Sequence, residues 1–149
     1  MKLLGIDPGA SGALVIIDKS GPIEWMLMPT MKVGSASRVN GAEAARFIQW
    51  IGCEHAFLEQ VGAMPGQGVA SMFNFGHNVG TITGVLQALN VSFTLVTPQS
   101  WKKRAGLIGK DKDAARSRAI QLWPTWDALA KKGEGQALAD AALIARFGL

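Results

Sequence analysis

Three carboxylates stand where strand and helix physics would not place them. Asp7 ends the apolar stretch Leu3-Leu4-Gly5-Ile6, Glu59 ends Ala56-Phe57-Leu58, and Asp140 lies inside the apolar run Ala137 to Ala145. A charge in such surroundings is unfavourable unless it is paired or binds a metal. Taken singly, each has an ordinary explanation: Asp7 shapes a turn in Asp-Pro-Gly, Glu59 sits at an exposed strand end, and Asp140 lies on the solvent side of a helix. Taken together, they are a candidate cation site. Hard oxygen ligands select Mg²⁺, with Mn²⁺ as a substitute, over zinc. Two such ions about 3.5–4 Å apart activate a water and stabilise the leaving oxygen of a phosphodiester. In that arrangement Asp7 would bridge the ions, and Glu59 and Asp140 would each complete one. No His or Cys set competes: His55 and His77 are far apart and read as structural or surface residues, and the single cysteine, Cys53, reads as a small buried side chain in a reducing cytosol.

The elements that must position these acids follow from patterning. Lys2 to Asp7, Gly12 to Asp18 and Ile23 to Met28 read as an antiparallel meander with short turns. Val33 to Arg38 reads as a mobile polar loop. Asn40 caps a helix from Gly41 to Ile51, with Ala44, Phe47, Ile48 and Ile51 on its apolar face. A strand from His55 to Val61 leads to the Gly/Pro-rich loop Gly62 to Gly68. A long helix from Val69 to Leu89, a strand from Ser92 to Val96 and a helix opened by Thr97-Pro98 follow. Leu107 to Lys110 interrupts that helix. Further helices span Lys112 to Leu122 and Gln136 to Phe147. A meander followed by alternating helix and strand predicts one α/β domain over residues 1–149, with a five-stranded mixed sheet of three antiparallel and two parallel strands and helices on both faces.

The chain has 149 residues and a formal net charge of +4, and its charge is uneven. Nine of the fifteen basic residues fall between Trp101 and Lys132, against Asp111, Asp113 and Asp127. That cluster suits either a polyanionic partner, nucleic acid above all, or a solvated helix face. No stretch reads as a signal peptide or is long enough to span a bilayer, so the expectation is a soluble, cytoplasmic protein with no membrane partner.

Gly5-Ile6-Asp7-Pro8-Gly9 followed by Gly12-Ala13-Leu14-Val15-Ile16-Ile17-Asp18 resembles the first hairpin of RuvC-type Holliday-junction resolvases in the RNase H-like superfamily. Phe57-Leu58-Glu59-Gln60-Val61 and Ala139-Asp140-Ala141-Ala142-Leu143-Ile144-Ala145 resemble that family's second acidic strand and its C-terminal acidic helix. Met64 to Gly76 and Val96-Thr97-Pro98-Gln99-Ser100-Trp101-Lys102 are similar to its phage and prophage branch. The resemblance runs in order over nearly the whole chain. It implies an RNase H-like fold, two Mg²⁺ ions per site and a homodimer. It also implies paired nicks at four-way DNA junctions that leave 5′-phosphate and 3′-hydroxyl ends, with Asp7, Glu59 and Asp140 as the catalytic, metal-holding acids. A bacterial protein, or a phage protein acting in the host cytoplasm, fits it.

The chain departs from the family at one place. A fourth acid or a histidine usually precedes the last acid by three or four residues, where this chain has Ala137 and Gln136. Glu134 lies six residues before Asp140, off its helical face unless Gly135 lets the chain bend. Gln136 would offer only a neutral oxygen. Two alternatives therefore stand beside the strict resolvase: a broader phage nuclease for branched DNA, and a junction-binding protein with impaired catalysis. An actin-like ATPase or sugar kinase, which shares the first hairpin, needs a duplicated domain that 149 residues do not provide.

For DNA contact the candidates are Gln67, Ser71 and Asn74 on phosphates or base edges, and Met64, Phe73 or Phe75 as a wedge at the junction centre. Core packing is the alternative for the two phenylalanines. Lys102 and Lys103 would bind phosphates. The family's lysine near the scissile phosphate matches Lys112, with Lys110 as the alternative register. Gly76, Gly80 and Gly84 stripe one side of the long helix, which serves either as the dimer interface or as a close contact with the chain's own sheet.

Overall fold

The computed structural model describes all residues, 1–149. Five strands form one sheet: β1 (Leu3–Asp7), β2 (Ala13–Asp18), β3 (Gly21–Leu27), β6 (His55–Glu59) and β7 (Phe93–Val96), in the order β3-β2-β1-β6-β7. β1, β2 and β3 are antiparallel, and β6 and β7 run parallel to β1. The mixed sheet expected from the sequence is the one observed.

Side-chain parity along the strands divides the core into two layers. Leu4, Ile6, Leu14, Ile16, Ala56 and Leu58 point to one face, where α1 (Gly41–Ile51) and α2 (Val69–Ala88) cover them with Ala44, Ile48, Ile82 and Leu86. Ala13, Val15, Ile17 and Phe57 point to the other, against α5 (Lys132–Phe147), backed by α3 (Pro98–Ala105) and α4 (Ala114–Leu122). Asp7 and Glu59 belong to this second face, since they share the parity of Gly5 and Phe57.

α5 lies unusually close to the sheet. A Cβ at Gly5 would fall 1.9 Å from the Ala141 carbonyl oxygen and 2.7 Å from the Ala145 nitrogen. The run of buried alanines at 137, 139, 141, 142 and 145 is what permits this approach, because no longer side chain would fit between helix and strand.

Several boundaries differ from the sequence expectation. The segment read as a mobile loop is a hairpin of β4 (Thr30–Val33) and β5 (Ala36–Val39). Buried Asn78 on α2 holds it, accepting from the Val39 backbone N–H at 2.9 Å and donating to the Ser37 carbonyl at 3.4 Å. Local polarity misled because the anchor lies 39 residues away. β6 ends at Glu59 rather than Val61, and α4 begins at Ala114 rather than Lys112. α5 begins at Lys132, four residues before Gln136, after a 3₁₀ turn at Asp127–Leu129. No helix is long and apolar enough to cross a membrane.

Candidate active site

The register of the parallel strands sets the first two acids side by side. Ile6 pairs with Leu58, so Asp7 and Glu59 are the next step at the C-terminal ends of adjacent strands, about 4.8 Å apart along the hydrogen-bonding direction. Both face α5, which carries Asp140. The three carboxylates perturb one another. Burial and the Glu59 charge push Asp7 up to about 6. Burial and the Asp7 charge push Asp140 up to about 7. Burial also raises Glu59, although Trp101 and Lys102 draw it back.

The acids are held individually rather than as a closed cage. The Trp101 indole N–H donates to Glu59 Oε2 at 2.6 Å, and Gln136 Nε2 donates to Asp140 Oδ1 at 3.2 Å. The His, Cys, Asp and Glu side chains do not converge, as they stand, into a three-residue ligand set. The donor chemistry nonetheless fits a hard divalent cation: half-buried carboxylate oxygens on rigid strand ends and a helix.

Beside the acids lies a cleft of about 410 Å³ lined by Asp140, Gln136, Lys102, Lys110 and Lys112, with Leu107 and Gly109 at its wall. Lys102 lies 5.5 Å above the Trp101 ring centroid, and its charge lowers the pKa of all three acids. Both lysines considered for the position near a scissile phosphate, Lys110 and Lys112, line this cleft. Lys103 is exposed on α3 and does not.

The remaining candidates separate clearly. Glu134 is a correction: the chain does not bend at Gly135, which lies inside the continuous helix Lys132–Phe147. Glu134 is therefore in the first turn of α5, on a different cleft with Trp25, Leu27 and Lys131. Gln136 is the residue that reaches Asp140, and it does so through its amide N–H rather than its oxygen. Asn74 is also spoken for, since it accepts from Arg38 Nε and donates to the Ser37 carbonyl. Gln67, Ser71 and Met64 are exposed. Phe75 lies over the Pro8-Gly9 turn, its ring edge 3.8 Å from a Cβ built at Gly9, and lines an apolar cleft with Met72 and Val79. Phe73 is 66% exposed beneath the Arg38 guanidinium. Nothing lies within 4 Å of a Cβ built at Gly76, Gly80 or Gly84, so the stripe does not pack on its own sheet.

Trp101 was missed as a partner of the acids. The available signal was its helical spacing with Ala105 in a short helix next to the strand that follows Glu59: a buried indole N–H usually finds an acceptor.

The raised acids set a pH dependence with a definite sign. A carboxyl whose folded pKa exceeds its unfolded value stabilises the fold below the unfolded value, and that contribution is lost as pH rises through the folded one. Without divalent ions, the melting temperature should fall as pH rises from 4 to 7.5, the window spanned by Asp7 and Asp140. Added Mg²⁺ should restore most at the high end. Calorimetry across that range checks both, and a melting temperature that rose through the window would contradict the burial of the acids.

The sheet order and the two helical layers define an RNase H-like fold of the RuvC kind. No family model matches the chain, and no curated protein matches it in sequence. Among solved structures it is similar to T. thermophilus RuvC in complex with Holliday junction substrate, with a TM-score of 0.67 and 18% identity over 99% of this chain and 96% of that one. It is also similar to a Thermus thermophilus RuvC structure, with a TM-score of 0.61 and 17% identity over 99% and 97%.

Proposed function

We propose that this protein is a Mg²⁺-dependent endonuclease that resolves four-way DNA junctions. The observation that carries the reading is that Asp7 and Glu59 end adjacent parallel strands on the face covered by α5, whose Asp140 feels both their charges and lines a lysine-rich cleft. The fold that presents them is like that of a RuvC solved with Holliday junction substrate.

Asp7, which is raised by the Glu59 charge and itself raises Asp140, would be the shared ligand of Mg²⁺ or Mn²⁺, and Glu59 and Asp140 would be the further ligands. Such ions would supply Lewis acidity and an activated water. Lys102, Lys110 and Lys112 would draw a backbone phosphate into the cleft. Water would add at phosphorus and the bond to the 3′ oxygen would break, with the proton passing to that oxygen, leaving 5′-phosphate and 3′-hydroxyl ends. Paired nicks require two such sites, and the open glycine stripe on α2 is suited to bring two protomers together.

The test is nicking of synthetic four-way, three-way and flap substrates in Mg²⁺. Four-way junctions should be cut at least tenfold faster than the others. Equal cutting of all three would instead mark a broad branched-DNA nuclease. One observation favours a third reading, a junction binder with impaired catalysis: Gln136, where an acid or histidine is usual, ties Asp140 through a neutral amide. Tight junction binding with no nicking in Mg²⁺ or Mn²⁺ would establish that reading.

A further inference from the structure

We propose that Trp101 is a positioning residue that locks Glu59 in one orientation, its indole N–H engaging Oε2 so that Oε1 is the oxygen offered to a divalent cation. The inference rests on the nuclease reading and adds a determinant outside the acids.

Trp101 is 1% exposed, packed in a cluster with Phe57, Val96, Ala105, Leu143 and Ile144. Its N–H can only donate, and the Glu59 carboxylate 2.6 Å away is its acceptor. A hydrogen bond to an ionised acceptor is among the stronger kinds. Packing alone does not demand it. Trp126, 8% exposed, keeps a buried indole nitrogen with no partner at all. The helix is also set for the purpose. Thr97 caps α3 directly after β7, its side chain accepting from the Ser100 backbone N–H, and β7 pairs in register with β6 at Glu59↔Val96. The strand pair thus carries the acid and the helix carries its clamp. The next residue, Lys102, turns a positive charge toward all three acids. Groups that orient a metal ligand typically change metal affinity by on the order of 10- to 100-fold when removed.

The decisive replacement removes the donor and keeps the shape: Trp101→3-benzothienylalanine, in which sulfur stands for the N–H. Mn²⁺ binding to the DNA-free protein is measured by calorimetry, alongside the melting temperature and junction nicking. The same replacement at Trp126 is the control. Mn²⁺ affinity should fall on the order of 10-fold or more at position 101 and stay unchanged at 126. In ¹⁵N-tryptophan spectra, the indole peak that Trp101→Phe removes should move on Mg²⁺ addition, and Glu59→Gln should abolish that movement. Wild-type affinity in the position-101 isostere, or an equal loss at 126, overturns the clamp while leaving the nuclease reading intact. A wild-type protein that neither binds Mn²⁺ nor nicks DNA overturns both.

Discussion

Asp7→Asn is expected to reduce junction nicking by on the order of 10³-fold or more, since a shared metal ligand supports several kcal/mol of transition-state stabilisation. The same change should not weaken the fold. Asp7 is pushed up to about 6 by its burial and by Glu59, so at pH 7.5 its charge is carried at a disadvantage. The neutral amide relieves that, and the ion-free variant should be more stable by on the order of 1–3 kcal/mol. The pairing of lost activity with gained stability separates a metal-site acid from a turn-forming one. If Asp7 only shaped the Pro8-Gly9 turn, replacement would leave nicking intact. Gel assays of nicking and ion-free thermal melts, run on the same preparation, decide between these outcomes. Junction binding should persist, because the lysine-lined cleft is untouched.

Gly5→Ala is expected to destabilise the fold strongly for a one-methyl change. The added carbon would sit 1.9 Å from the Ala141 carbonyl oxygen and 2.9 Å from the Ala145 side chain. The first obstacle is backbone, so rotamers cannot relieve the clash, and α5 must move off β1. Overpacking of this kind costs about 3 kcal/mol, which lowers the melting temperature by roughly 6–12 °C for a chain this size. Asp140 rides on the same helix, one residue before Ala141. A shift near 1 Å at the reacting groups can reduce rate by on the order of 10²-fold. Nicking measured well below the melting transition should therefore fall as well. An unchanged melting temperature would show that α5 is not seated on Gly5.

Much of this architecture was legible in residue order. Short apolar runs bounded by turn residues marked the five strands of the sheet, and Asn40, Thr97 and Pro98 marked helix starts. The anomalous placement of Asp7, Glu59 and Asp140 marked them as the candidate acids, because a carboxylate in an apolar run is a local signal that needs no knowledge of the fold. The β4–β5 hairpin was not legible, since its local sequence is polar and its anchor is Asn78 on α2. Nor was the true start of α5 at Lys132, since Gly133 and Gly135 lie inside its first turns and the helix follows a 3₁₀ turn at Asp127–Leu129.

What the chain alone specified was therefore the identity of the acids and the elements that carry them: both are written in local periodicity and in the cost of misplaced charge. Folding settled how those acids are held. The sheet register put Asp7 beside Glu59, Gly5 drew Asp140 down onto the same face, Trp101 and Gln136 took one oxygen from each neighbour, and Glu134 was carried away to another cleft. Each of these depends on contacts between residues distant in the chain or on the direction a helix turns, and neither spacing nor composition encodes such distances.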